Sequence, residues 1–487
     1  MWSCPCCSGP QVNRASGCCK PSTGEFQVAP RGRRAGAKLA AGAWVISFRR
    51  VCIFSFFTPA RPHNPGLAPS NAGLLMTTPS MQPLPGTDRL PTLDILRGFA
   101  LMGILIMNMP GFSYSGFAEA DGSHLWASPV DQWAEQVRDL LFSGKFNSLF
   151  SLLFGIGFTI QFQRMQERDP TRAPTMYLRR LTVLLVIGLV HACVFWTGDV
   201  LHIYALLGMV LLFGLRRVSD RGIVVLIGAC LAYPVAASLL RLAIVTPDFT
   251  AQRVRTAQAF EASNNAAYGA GTFADTVVEN LRVMAYGYFD LWSLWGTFGW
   301  YVMLAMTMMI GLLAGRRRWV QRVPELMPRI RRLTWWALAL GLVLGAAFTV
   351  IFELNRAPGP SLVKVLGGLC YSLSRLALMV FYVLVIVRIA HTAAGRRWFK
   401  PFEAAGRMPL TNYLMQTALC ITLFNAWGFG LWLKVGPAAG LALALFIFFA
   451  VQVPWSLWWL RRHDRGPMEA LWARWTYTPP SVQAHAT

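Results

Sequence analysis

Three residues suited to proton transfer lie close together in this chain. His191 stands in His191-Ala192-Cys193-Val194-Phe195-Trp196-Thr197-Gly198-Asp199, and His202 follows Asp199 by three positions. An imidazole titrates near neutrality and can take the proton of a hydroxyl or an amine. A carboxylate beside it orients the ring and stabilises its cation. His191 therefore reads as a general base and Asp199 as its helper. The same residues also read as a hydrogen-bonded helical corner, with Asp199 as N-cap. His124, in a loop, is a second candidate base.

Leu93-Asp94-Ile95-Leu96-Arg97-Gly98 offers charge instead. Asp94 and Arg97 are three apart, so they share a helix face and can neutralise each other. Ionised groups are costly at membrane depth, so such a pair marks a structural lock or a working site. Arg97 and Asn108 also fall on one face, about 16 Å apart along the axis. Arg375, in Leu373-Ser374-Arg375-Leu376-Ala377, is the clearest charge inside an apolar run. It must face the bundle interior, water or an acid of another helix. Its two readings are a structural ion pair and recognition of a phosphate or carboxylate. Asn412 and Gln416 are four apart on one face, where buried amides glue helices or line a substrate path. No His/Cys/Asp/Glu set has metal-ligand spacing, so neither a metal nor a bound cofactor is expected.

The elements that carry these residues are apolar and long. Of 487 residues, 55% are hydrophobic and 14% charged, with a mean hydropathy of +0.43. That is the profile of a polytopic membrane protein. Ten segments approach the roughly 20 residues a span requires: 94–113, 147–165, 178–197, 199–216, 221–246, 296–315, 333–354, 362–390, 408–428 and 437–460. The expected fold is all-α and integral to the membrane, a polytopic bundle of about ten transmembrane helices. The net charge of +23 does not signal nucleic acid. Arginines cluster after every even-numbered segment, as at Arg164–Arg180, Arg216–Arg221, Arg316–Arg332, Arg388–Arg407 and Arg461–Arg474, and are sparse after the odd ones. That alternation follows the positive-inside rule and puts both termini in the cytoplasm. Two longer outer loops, 114–146 and 247–295, carry helical apolar faces and read as interfacial helices able to roof a cavity.

Residues 1–75 differ from the rest. They hold six of the ten cysteines and many basic residues, with neither a clean signal-peptide order nor a span. They read as a disordered or mis-annotated extension, with Met76 or Met81 as the true start. The remaining cysteines, Cys193, Cys230, Cys370 and Cys420, lie singly in apolar runs as inert thiols. Gly155 and Gly157 read as close helix contacts. The membrane part divides into halves at 85–300 and 301–478.

Several stretches together resemble the bacterial YeiB-like membrane family, which carries domain of unknown function 418 at its C-terminal end. They are Leu93–Asn108, Gly144-Lys145-Phe146 with Ser148–Phe158, Arg179-Arg180-Leu181 and His191–Leu201 with Tyr204-Ala205. Gly406-Arg407-Met408 with Leu410–Tyr413, and Gly466-Pro467-Met468-Glu469 with Leu471-Trp472 and Thr476-Tyr477, complete the set. The family is similar to transmembrane acyltransferases such as the lysosomal heparan-α-glucosaminide N-acetyltransferase. The resemblance implies an acyl group taken from cytosolic acyl-CoA, with acetyl-CoA in that donor class, and delivered to an envelope sugar or lipid. The opening Asp94-x-x-Arg97-Gly98 also resembles bacterial acyltransferase-3 proteins, but Asn108 stands where those carry a histidine. On this reading Asp94, Arg97, Asn108, His202, Arg375, Asn412 and Gln416 contact substrate, with His191 and Asp199 catalytic. The expected partners are the inner-membrane bilayer and the acceptor, with no nucleic acid; oligomeric state is not legible. The alternatives are a transporter or exporter of a small anionic or envelope-related solute, and a non-catalytic membrane scaffold.

Overall fold

The computed structural model describes residues 90–477; the extension 1–75, Met76 and Met81 lie outside them. Among the described residues every regular element is helical. The elements are α1 (Pro91–Ser113), α2 (Pro129–Leu141), α3 (Lys145–Arg168), α4 (Ala173–Val190), α5 (Leu201–Val210), α6 (Asp220–Ile244), α7 (Pro247–Ala270), α8 (Phe273–Phe289) and α9 (Leu291–Arg316). Then come α10 (Val323–Leu354), α11 (Leu362–Ala390), α12 (Ala393–Trp398), α13 (Lys400–Gly406), α14 (Pro409–Phe424), α15 (Pro437–Phe446), α16 (Val453–Trp459) and α17 (Pro467–Tyr477). A π-helical turn extends α4 at His191–Phe195 and another extends α5 at Leu211–Leu215. A third, Ile447–Gln452, joins α15 to α16.

Eight of these helical stretches are long and apolar enough to cross a membrane. They match eight of the ten expected segments. The other two, 199–216 and 408–428, form the shorter helices Leu201–Leu215 and Pro409–Phe424. The described residues are thus all-helical with eight candidate spans, and the full ten does not follow from helix length. Helices suit this setting because they satisfy their own backbone groups where no water can. Polar residues fix several starts. Ser219 accepts from the Gly222 amide and Asp290 from that of Ser293, while Thr272 and Asp275 form a capping box.

α1 is the most enclosed helix; Ala100, Leu101 and Leu105 have no exposed surface. Two glycine crossings hold its surroundings together. A Cβ on Gly98 would run into the Phe402 carbonyl, and one on Gly406 into the Asp94 carbonyl, so α1 and α13 pass with backbones touching. Gly155 and Gly311 do the same for α3 and α9. Gly157, by contrast, faces open space near the Arg97 guanidinium. α6 and α10 instead turn apolar side chains outward, Val225 and Trp336 among them, as lipid-facing helices do. The two longer loops contain the helices α2, α7 and α8, and α8 packs over the π turn that begins at His191.

Candidate functional site

The turn between α4 and α5 converges on Asp199. One carboxylate oxygen takes His191 Nδ1 at 2.8 Å; the other takes His202 Nδ1 at 2.6 Å and the His202 amide at 3.0 Å. An ionised carboxylate only accepts, so both imidazoles donate from Nδ1 and keep a lone pair on Nε2. His191 Nε2 meets the Thr417 hydroxyl at 2.9 Å, and His202 Nε2 meets the Tyr288 hydroxyl at 2.5 Å. Tyr288 is bonded in turn to Tyr301. Five side chains from five helical segments, with Asp199 in the turn between α4 and α5, thus form one hydrogen-bonded chain in which Asp199 is the final acceptor. All three central residues are buried.

Local packing sets this geometry. A Cβ on Gly188 would strike the His202 backbone, so α4 and α5 touch beside the turn. Trp196 stacks on Phe112 with ring centroids 4.2 Å apart and donates to the Gly111 carbonyl, which ties the turn to the end of α1. His191 opens the π turn, a distortion common at functional sites. The Asp199 bond to the His202 amide is cap-like, so the structural reading and the chemical one occupy the same atoms. Thr417, Tyr288 and Tyr301 had no signal in the sequence: they are common hydroxyl residues brought in from α14, α8 and α9.

A cavity of about 400 Å³ begins at the end of the bundle where the arginine clusters gather. Arg97, Arg164, Arg168, Arg180, Arg407 and Arg465 line it, with Asp94 and Glu469 as its acids. Asp94 binds Arg97 at 2.6 Å. Arg180 lies 3.5 Å above the Trp472 ring, whose indole N–H donates to the Arg180 carbonyl. Glu469 accepts from the Leu410 and Thr411 amides and from the Thr411 hydroxyl, and so caps α14 from another segment. Burial pushes the Glu469 carboxyl above the usual glutamate range, against those bonds. Deeper in, the walls turn apolar with Ile104, Phe150, Leu153, Phe154, Leu181 and Leu184, and the cavity stops at Val200, Leu201, Tyr204 and Tyr413. Tyr413 is the partition before the Asp199 cluster. Its hydroxyl accepts from the Val200 amide at 3.3 Å, and its ring centroid lies 5.3 Å from that of His191.

The other expected site residues are dispersed. His191, Asp199, His202 and Arg375 do not line the cavity, although Asp94 and Arg97 do. Asn108 is half-buried farther along α1. Asn412 donates to the Ala405 carbonyl and Ser456, while Gln416 donates to the Leu101 carbonyl and Gln452. Gln452 closes the ladder onto the Asn412 carbonyl. These amides bind α1, α13, α14 and the α15–α16 helix together, the glue reading of the two. His124 lies 3.6 Å from Glu353. Glu119, His124 and Glu135 bring ligand atoms within 4.8 Å of one another, but Glu119 is engaged by Arg356 and Glu135 by Tyr114.

Residues 314–479 match the family described as protein of unknown function (DUF418). The chain is similar to the uncharacterized protein YxaH of Bacillus subtilis (strain 168), with 30% identity over 409 residues, 82% of this chain and 96% of YxaH. It is similar to the uncharacterized protein YeiB of Escherichia coli (strain K12), with 28% identity over 405 residues, 80% of this chain and 96% of YeiB. An uncharacterized 39.9 kDa protein of Bacillus acidopullulyticus is 25% identical over 406 residues, 82% of this chain and 96% of that protein.

Proposed function

The chain belongs to the YeiB-like DUF418 family, and from that premise we propose that it is a membrane acyltransferase. It takes an acyl group from cytosolic acyl-CoA and transfers it to a sugar or lipid of the cell envelope. It sits in the bacterial inner membrane with ten spans and both termini cytoplasmic. The cavity carries this reading: six arginines from five segments surround one opening whose interior is apolar. The positive-inside rule explains arginines on that side, but not their convergence on one hollow. An arginine-lined mouth matches phosphate oxygens, and the apolar interior matches a pantetheine arm and acyl chain.

The reaction follows from the Asp199 cluster. Asp199 holds His191 in the tautomer with a free Nε2 lone pair. As the acceptor oxygen attacks the thioester carbonyl, Nε2 takes the hydroxyl proton. The C–O bond forms, the C–S bond breaks, and the departing CoA thiolate regains a proton from the imidazolium. Tyr413 must swing aside to join cavity and base, and the acceptor hydroxyl then takes the position of the Thr417 hydroxyl. The test is transfer of radiolabelled acetyl from acetyl-CoA to the envelope fraction in inverted vesicles. Transfer is expected with the wild type and lost with His191→Ala. Normal transfer by His191→Ala would remove His191 from the mechanism.

A second reading is export of a small anionic solute. The chain from Tyr301 through His202 and Asp199 to Thr417 favours it, since intramembrane carboxylate–histidine chains serve as proton relays in transporters. Proton-coupled flux in liposomes without any acetyl transfer would select it.

A further inference from the structure

Arg375 and Lys145 form a second cationic site outside the arginine-lined cavity. Both are buried, at 3% and 1% exposure. They lie near enough to repel each other, and the Asp139 carboxylate attracts Lys145 from a distance, but among the described residues neither has a carboxylate within ion-pair distance. Lys145 Nζ donates to the Asp139 carbonyl at 2.6 Å and sits 5.3 Å from the Tyr371 ring centroid. The Asp139 carboxylate is itself engaged by Arg138. Tyr371 bonds to the Arg375 guanidinium, yet Nε and Nη2 of Arg375 are buried with no partner. Those two atoms form one edge of the guanidinium, and their N–H bonds run parallel. That edge is the fork that pairs with two oxygens of a carboxylate or phosphate. Asn147 Oδ1, two residues past Lys145, is also buried without a partner.

An uncompensated buried charge costs several kcal/mol, and each unsatisfied buried donor calls for an explanation. Gly144 adds to the case. Its φ is +75°, and a Cβ there would fall 2.7 Å from Arg375 Cδ. Only glycine takes this backbone conformation without strain while leaving the arginine its room. Tyr204, at the deep end of the cavity, stands beside Arg375. We propose that Arg375, with Lys145, binds an oxyanion, a carboxylate or phosphate group, on the open Nε–Nη2 edge. The site is separate from the acyl-CoA mouth and does not depend on the acyl-transfer reading.

The test is thermal unfolding of the full-length protein in detergent at constant ionic strength, with chloride replaced by acetate or by inorganic phosphate. A ligand that binds only the folded state raises the melting temperature saturably. A rise with acetate alone marks a carboxylate site, and one with phosphate alone a phosphate site. Arg375→Lys keeps the charge but loses the fork, so, made in the Arg97→Ala background that disables the phosphate-binding mouth, it is expected to abolish the rise that Arg97→Ala alone retains. No saturable rise with either anion overturns the proposal, as does an undiminished rise in Arg375→Lys on that background. Should that variant fail to fold, Lys145→Met serves instead; it should weaken apparent affinity by roughly tenfold or more, and unchanged affinity overturns the proposal. CoA binding in the same assay should survive Arg375→Lys and weaken in Arg97→Ala, so either claim can fail alone.

Discussion

Asp199 accepts three bonds from two histidines, and each histidine passes its second nitrogen to a hydroxyl. An amide at this position cannot accept from both rings at once. Asp199→Asn is therefore expected to force one imidazole into the other tautomer and abolish acetyl transfer. It should also cost on the order of 1–3 kcal/mol, the penalty of an unsatisfied buried partner. Tyr288→Phe removes two bonds near the chain's outer end, those to His202 and Tyr301. It should cost about 1–3 kcal/mol and leave transfer largely intact. Chemical denaturation and the vesicle assay measure both variants. The carboxylate and its two histidines were legible in the sequence because they fall within one short turn. Thr417 was not, because 226 residues separate it from His191 and nothing in its neighbourhood distinguishes it from other threonines.

At the scale of elements, the distant motifs meet at helix ends. Gly98 of α1 and Gly406 of α13 allow two backbones to touch, and the Glu469 segment caps α14. The glycine pair explains why Asp94-x-x-Arg97-Gly98 and Gly406-Arg407-Met408 belong to one structure. Gly406→Leu would drive a side chain into the Asp94 carbonyl and separate α1 from α13. Loss of folded protein after detergent extraction is the expected outcome, while Gly157→Ala, which has room, should fold normally. Glu469 also makes a pH prediction. Its carboxyl is raised by burial, so its stabilising contribution is complete below the ordinary glutamate value of about 4.3 and is lost as pH rises through the folded value. Glu469→Gln should flatten the fall in melting temperature as pH rises above the ordinary glutamate value. An unchanged pH profile would show that Glu469 does not set it. Spacing within one segment could not reveal this cap, because donor and acceptor belong to segments 58 or 59 residues apart.

For the whole molecule, apolar length and arginine alternation made the membrane-spanning character legible, and eight helices match it. Helix length fell short at 201–215 and 409–424, where many side chains are buried against other helices. Sidedness is testable by labelling. Trp133, on the exposed face of α2, should accept a membrane-impermeant thiol reagent from outside intact cells as Trp133→Cys, and Arg318→Cys should react only after permeabilisation. The reverse pattern would invert the proposed topology. The convergence of six arginines on one hollow was not legible, because each cluster already had a sufficient cause in its own loop. The most direct test of the central claim is isothermal titration of acetyl-CoA into the detergent-purified protein. Saturable binding that weakens with Arg97→Ala and Arg180→Ala and persists in His191→Ala is the expected result. Absence of binding to protein that is demonstrably folded would contradict the acyltransferase reading.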